Sequence, residues 1–251
     1  PVQVYSTHDG ITINSIAGDD VLNAAERSQP VVISGTSVGI QAGQTLTVII
    51  TSGSSIRYTY NTTVLADGTW AVTMPAANAQ GLANGSYVVN ASVSGQASTN
   101  HNLAVDVTAP NAPAITSLTT ATDSGVSSSD RITNINKPTL VGTAEANSIV
   151  KVYEGTTLLG TATANSSGNW SLALTTALTD GTHSITATSS DLAGNTSPTS
   201  TALSVVIDTV APVPTVSGIT AATDSGISST DNNTNNNKPT LVGTAEANST
   251  V

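Results

Sequence analysis

The sequence predicts an all-β chain of tandem sandwich units, and three observations carry that expectation: a long internal repeat, short runs of alternating apolar residues, and turn residues at regular intervals. Residues 121–150 read ATDSGVSSSDRITNINKPTLVGTAEANSIV and residues 222–251 read ATDSGISSTDNNTNNNKPTLVGTAEANSTV, so that 24 of the 30 positions agree at an offset of 101. A period of that length means copies of one domain in series, not one large globule. Rods, stalks and multivalent binders are built in this way; enzymes rarely are.

Composition agrees with many short strands. Only 9% of the residues are charged, against about a quarter in ordinary domains. Ser, Thr, Asn, Ala, Val and Gly fill the difference, which is neither the high charge nor the low hydrophobicity of disordered chains. β-Branched residues favour strands, and Asn, Ser and Gly favour the turns between them. The chain has no cysteine, so neither disulfides nor thiolate sites are available. A unit of about 100 residues is large enough to hold a core without them. No apolar run approaches a membrane span. Pro1 falls inside a unit with no signal peptide before it, so the chain is expected to be a stretch of something longer.

The second unit parses into seven strands by alternation and turn signals. Strand A is expected over 113–119, followed by a long polar loop, 120–137. Strand B covers 138–143 (PTLVGT), C 149–154 (IVKVYE), D 157–164, E 169–175 (NWSLALT), F 182–189 (THSITATS) and G 200–207 (STALSVVI). Seven short strands at this spacing are the pattern of an immunoglobulin-like sandwich. Gly142 and Gly243, within VGTAEA, are expected to permit a bulge or bend in strand B. Lys137-Pro138 and Lys238-Pro239 set the entry to that strand.

The first unit follows the same plan more loosely. VVISGTSV (31–38) matches strand B, ADGTWAVTM (66–74) matches the segment around strand E with Trp70 over Trp170, and LANGSYVVNASV (82–93) matches strand F. Each unit closes on an Asp and a proline segment, Asp106 to Pro110 and Asp208 to Pro212. Proline makes these linkers short and stiff. The expected domains are therefore 1–107, 108–209 and 210–251, the last incomplete. A lone A–B pair cannot bury a sandwich core, so the third is expected to be poorly ordered or to lean on a neighbouring chain.

Charge points to the chemistry. Sixteen acids against six bases give a formal net charge of −10, which argues against nucleic acid and anionic membrane as partners. Asp123 and Asp130 are seven apart, as are Asp224 and Asp231, and as are Asp19 and Glu26, with Asp20 beside the first. If the strands run up and down, loops A–B, C–D and E–F lie at the far end of a unit, and loops B–C and F–G at the near end. The far end of the first unit then holds Asp19, Asp20, Glu26 and Asp106, facing Glu145 and Asp191 of the second. The far end of the second holds Asp123, Asp130, Asp180 and Asp208, facing Glu246 of the third. Unpaired carboxylates repel by roughly 1 to 4 kcal/mol per close pair, and the nearest bases in sequence are only Arg27, Arg131 and Lys137.

A hard divalent cation with six to eight oxygen ligands fits such junctions. Calcium suits irregular loop oxygens better than magnesium, which demands a strict octahedron. Zinc is disfavoured, since there is no Cys and the three histidines, His8, His101 and His183, are scattered. The alternative is that these Asp residues cap turns and bind only water. The first unit fits less closely, with Asn84 where the second has Asp180. No nucleophile-elbow motif appears and no histidine recurs between units, so an enzyme is not expected. Trp70 and Trp170 follow a turn in register, which reads as core packing rather than sugar stacking. Tyr58, Tyr60 and Tyr87 add little aromatic surface.

The combination of D-x-x-A-P at the junctions, TDSG loops, KPTLVGTAEANS, GNW and DLAGNTSP resembles bacterial Ig-like repeats of giant type I-secreted, non-fimbrial surface adhesins. The resemblance is strong over 108–251 and weaker over 1–107, where GDDV replaces TDSG and GQASTN replaces DLAGN. It implies a secreted filament at the bacterial cell surface, stiffened by calcium ions at its junctions and extending an adhesive tip. The junction acids named above would be the ligands. Host-cell glycans or receptors would be partners of the parent adhesin, and the rival expectation is that these modules bind such a receptor directly.

Overall fold

The computed structural model describes residues 10–247 and 249–251; His8 lies outside them. Two sandwiches and a hairpin follow one another along the chain. In the first unit the strands are β1 (Gly10–Ile11), β2 (Val21–Leu22), β3 (Val31–Val38), β4 (Thr45–Ser52), β5 (Ser55–Thr63), β6 (Thr69–Met74), β7 (Gly85–Val93) and β8 (Ala97–Val105). A 3-10 turn, Glu26–Ser28, follows β2, and a short helix, α1 (Ala76–Gln80), follows β6. The second unit has β9 (Ala114–Leu118), β10 (Ile132–Thr133), β11 (Thr139–Thr143), β12 (Ile149–Glu154), β13 (Thr157–Thr163), β14 (Asn169–Ala173), β15 (Gly181–Ser190) and β16 (Leu203–Ile207). The third contributes β17 (Thr215–Ile219) and β18 (Leu241–Thr244).

The two complete units share one topology. A three-stranded sheet, β1-β3-β6 or β14-β11-β9, faces a five-stranded sheet, β2-β8-β7-β4-β5 or β10-β16-β15-β12-β13. Alternation places one face of each strand inside. Val150, Val152, Ile185, Ala187, Val205 and Ile207 form the centre of the second core, and Ile33, Val48, Ile50, Val89 and Leu103 occupy the first. Both tryptophans belong to these cores, Trp70 at 1% exposure and Trp170 at 4%, which withdraws their rings from any sugar-stacking role.

The glycine of VGT is fixed by this packing. Gly142 lies opposite Trp170, and Gly35 opposite Trp70. The ladder between β11 and β9 shifts register at Val141/Gly142, and that between β18 and β17 shifts between Val216 and Gly218. The extra residue at each shift is on the facing strand, Thr116 of β9 or Ser217 of β17, so the bulge lies opposite the glycine's strand and not within it.

The long A–B loop differs from the expectation. It crosses from one sheet to the other, and its two-residue strand β10 pairs in parallel with β16, Ile132 against Val206 and Thr133 against Ile207. In the first unit β2 pairs with β8 in the same way, Val21 against Ala104 and Leu22 against Val105. Thr133 is buried, and its hydroxyl donates to the Thr122 carbonyl at 2.7 Å. Two residues are too few to show alternation, so this strand left no periodic signal.

In the third unit β17 and β18 pair as their counterparts do. Val216 and Leu241 stay largely exposed on the hairpin. Among the described residues no helix is long and apolar enough to cross a membrane.

His183 introduces a pH dependence. It is buried on β15; Nδ1 meets Glu154 Oε1 at 2.7 Å and Nε2 meets the Thr179 carbonyl at 2.8 Å. Both partners are acceptors, so only the imidazolium can donate to each. Burial pulls the histidine pKa down, the Thr179 carbonyl and the Glu154 carboxylate push it up, and the net direction is up. A raised folded-state pKa gives stability that is fully present below the unfolded value, about 6.5. That stability is lost as pH rises through the folded value. Thermal melts between pH 5 and 9 are expected to show the second unit weakening on the alkaline side. A His183→Gln variant should lack that loss; a wild type equally stable on both sides would remove the charged-imidazole assignment.

Candidate metal sites at the unit junctions

The far end of the second unit is built from three segments. Asp130 precedes β10 and Asp208 follows β16; in the parallel register Asp208 lies just beyond Thr133 while Asp130 lies before Ile132, so the two acids flank this short strand pair. Each forms an Asx turn: Asp130 Oδ1 accepts from Ile132 N at 3.1 Å and Asp208 Oδ1 from Val210 N at 3.1 Å. Among the described residues their Oδ2 atoms take no hydrogen bond. Asp180, from the E–F loop, accepts from the backbone and hydroxyl of Thr209, beside Asp208.

Asp130 and Asp208 line a cavity of about 570 Å³ together with Glu246 from the B–C loop of the third unit. The structure thus brings these three acids to one junction, with Asp180 at its margin. Among the described residues the only acid–base side-chain pairs within 4 Å are His101–Asp20 and His183–Glu154, so no lysine or arginine neutralises the junction. Nor, among the described residues, do three acidic or histidine side chains stand close enough to hold a metal ion as they are.

Asp123 takes a different place. It is 2% exposed, and both carboxylate oxygens accept from Arg131 N at 3.1 Å. Its counterpart Asp224 is also buried, with Oδ2 accepting from Asn232 N. These carboxylates organise the A–B loop from within and do not line the cavity.

The first junction corrects the spacing argument. Asp20, Arg131 and Asn232 share a left-handed backbone, with φ of 68°, 67° and 60°. Each stands just after an Asx-turn aspartate, Asp19, Asp130 or Asp231. Asp19 is therefore the counterpart of Asp130, not of Asp123. The seven-residue interval to Glu26 in the first unit is a coincidence of loop length. Glu26 sits on the 3-10 turn, where Oε2 accepts from Asn23 N at 3.1 Å, and it lines a separate groove with Pro30 and Val31. Asp20 is bound to His101 Nε2 and to Ile16 N, both at 2.7 Å. Burial raises its pKa, the histidine and the amide lower it, and the net direction is down.

Asn84 and Asp106 reproduce the geometry of Asp180 and Asp208. Val107 N donates to Asn84 Oδ1, and Thr108 N to Asp106 Oδ1. The Asn84 amide also donates to the Asp106 carboxylate at 3.2 Å. Across the boundary stand Asp191 and, in a shallow groove with Asn111, Glu145. Asn195, which a search for carboxylates passes over, joins the two sides: its amide donates to Asp191 Oδ2 at 3.0 Å and to the Asp106 carbonyl at 2.8 Å. The signal lay in DLAGNTSP, where an Asn four residues after an Asp recloses the loop.

No curated protein matches the chain. Among solved structures, a Ca2+-stabilized adhesin with which an Antarctic bacterium binds ice is 26% identical, covering 86% of this chain at a TM-score of 0.42. This chain spans about half (53%) of that one. A 1.5-MDa bacterial ice-binding adhesin is 22% identical over 85% of this chain and 70% of its own, with a TM-score of 0.40. An immunoglobulin-like domain of the M. primoryensis ice-binding adhesin is 32% identical over 38% of this chain and 95% of its own, with a TM-score of 0.26. The second unit, residues 108–209, matches the family model of the bacterial Ig-like domain.

Proposed function

We propose that this chain is a calcium-stiffened stretch of a bacterial cell-surface adhesin, a rod of domains 1–107, 108–209 and 210–251 that holds an adhesive part away from the cell. The observation that carries the reading is the cavity shared by Asp130, Asp208 and Glu246. Three segments of two units meet there, and among the described residues lining it there is no lysine or arginine. The donor set is all oxygen and irregular, which fits calcium. Asp130, Asp208 and Glu246 would hold the ion, with Asp180 close by. At the first junction Asp19, Asp106, Glu145 and Asp191 are the corresponding acids, two of them partly satisfied by asparagine amides.

Because among the described residues no three acids are within reach of one ion as they stand, binding requires the two units to close on each other. Cation affinity is then coupled to the order of the junction. Extracellular modules need only about 10⁻⁴–10⁻³ M affinity. Secretion through a type I system, and attachment to host glycans or receptors through the parent adhesin, belong to the same reading. Direct receptor binding by these modules has less to stand on, because both tryptophans are inside the cores.

Small-angle scattering of the chain in millimolar calcium and then in excess chelator tests the proposal. A longer and narrower distance distribution with calcium is the expected result. Superimposable curves would overturn it.

A further inference from the structure

We propose that the F–G loop of the second unit is a latch that fixes this unit to the first without any cation, and that Asn195 closes it. The loop is preformed: Asn195 N donates to Asp191 Oδ1 at 2.8 Å, and Asp191 N donates back to the Asn195 carbonyl at 3.1 Å. The Asn195 side chain is thereby aimed across the unit boundary and is 4% exposed. Its Oδ1 accepts from Ala24 N of the first unit's A–B loop at 2.9 Å. Its Nδ2 donates to the Asp106 carbonyl at 2.8 Å, at the end of the first unit's last strand. One side chain therefore spans two separate segments of the preceding unit.

Only an amide serves here. A carboxylate has no donor for the Asp106 carbonyl and would stand against Asp191; an alanine offers neither group. Gly194, beside Asn23 of the first unit, has a φ of +88°, a left-handed conformation that suits glycine. Both groups that Asn195 engages on the first unit are backbone. Recognition therefore depends on the shape of the preceding unit's end and not on its side chains. The same loop can couple to any unit with that end, which is what a chain of diverging repeats requires. The latch stands on hydrogen bonds that need no ion, so it is independent of the calcium reading.

The test uses the whole chain in excess chelator. Amide hydrogen exchange by NMR reads the Ala24 N–H, and spin labels on cysteines introduced at the exposed Thr63 and Thr161 read the distance between units. The wild type is expected to protect Ala24 and to give a narrow distance distribution even without calcium. Asn195→Ala and Asn195→Asp should each speed Ala24 exchange by about tenfold or more and widen the distribution. Exchange at Val150 and Val205, in the second core, should not change. If Asn195→Ala loosens that core, the aspartate variant and the wild-type Ala24 amide still decide. Fast Ala24 exchange in the wild type, or unchanged exchange and distances in both variants, would overturn the latch. A distribution that narrows only with calcium would assign this junction to the cation instead.

Discussion

Replacing Gly142 with alanine is expected to destabilise the second unit strongly while leaving the first intact. A Cβ at this position would stand 2.0 Å from the Ala114 carbonyl oxygen and 2.5 Å from Cζ2 of Trp170. The first neighbour is backbone of β9, held in the three-stranded sheet, and the second is a buried ring in the core. Neither can move aside by changing rotamer, so the strand or the indole must leave its place. Overpacking of a core costs about 1–3 kcal/mol when side chains can give way; here the cost is at or beyond the upper end. For a unit of this size, about 3 kcal/mol lowers the melting temperature by more than about 10 °C. Calorimetry of the Gly142→Ala chain should show one transition displaced, and exchange measured by mass spectrometry should locate the loss within 108–209. Gly155→Ala is the control, since Gly155 has a φ of +57° with nothing within 4 Å of the added carbon. Its cost is that of a left-handed alanine alone, about 1–2 kcal/mol. Equal stability of the two variants would refute the packing argument.

The same glycine shows why so much of the fold was legible. Gly35, Gly142 and Gly243 recur at one place in each unit, and an added Cβ at each would meet a carbonyl of the preceding strand, that of Thr12, Ala114 or Thr215. A repeated glycine, a repeated tryptophan and period-2 alternation are all local signals, and they located the strands. Strand C was expected over 149–154 and is Ile149–Glu154; strand B was expected over 138–143 and is Thr139–Thr143. Strand G was expected from 200 and starts at Leu203, because Ser197 and Ser200 spend their hydroxyls and amides on the neighbouring strand at Ser189 and Ala187. What the sequence hid was non-local. β2 and β10 are two residues long and are recognised only by their parallel partners, β8 and β16. Once those partners are known, Asp19 aligns with Asp130 and the interval of seven loses its meaning. Asn195 was hidden for another reason: it is uncharged, and its role exists only across a boundary between units.

Asp130→Asn combined with Asp208→Asn is expected to abolish the calcium response of the second junction. Both carboxylates line its cavity, and each keeps one oxygen outside the Asx-turn hydrogen bond. An asparagine retains that turn, because its Oδ1 still accepts from Ile132 N or Val210 N, so the loops should keep their shape. Only the charge is lost. Removing two of the negative charges around a divalent ion takes away at least about 1 kcal/mol each even in a watery setting. Affinity should therefore fall by about tenfold or more. A calcium titration followed by calorimetry, with scattering at each end point, reads both the affinity and the shape. Without calcium the variant should tolerate a closer approach of the units than the wild type does, since the repulsion across the cavity is smaller. Two single variants separate this site from the acids that the structure places elsewhere. Asp20→Asn removes a carboxylate held by His101, and Asp123→Asn removes one that is buried under Arg131 N. The first should leave the calcium isotherm unchanged. The second should weaken the A–B loop, through the hydrogen bonds it organises, with far less effect on the ion than the double variant has. If the double variant binds calcium as the wild type does while Asp123→Asn does not, the ion belongs inside the A–B loop and the junction cavity is only a gap between units.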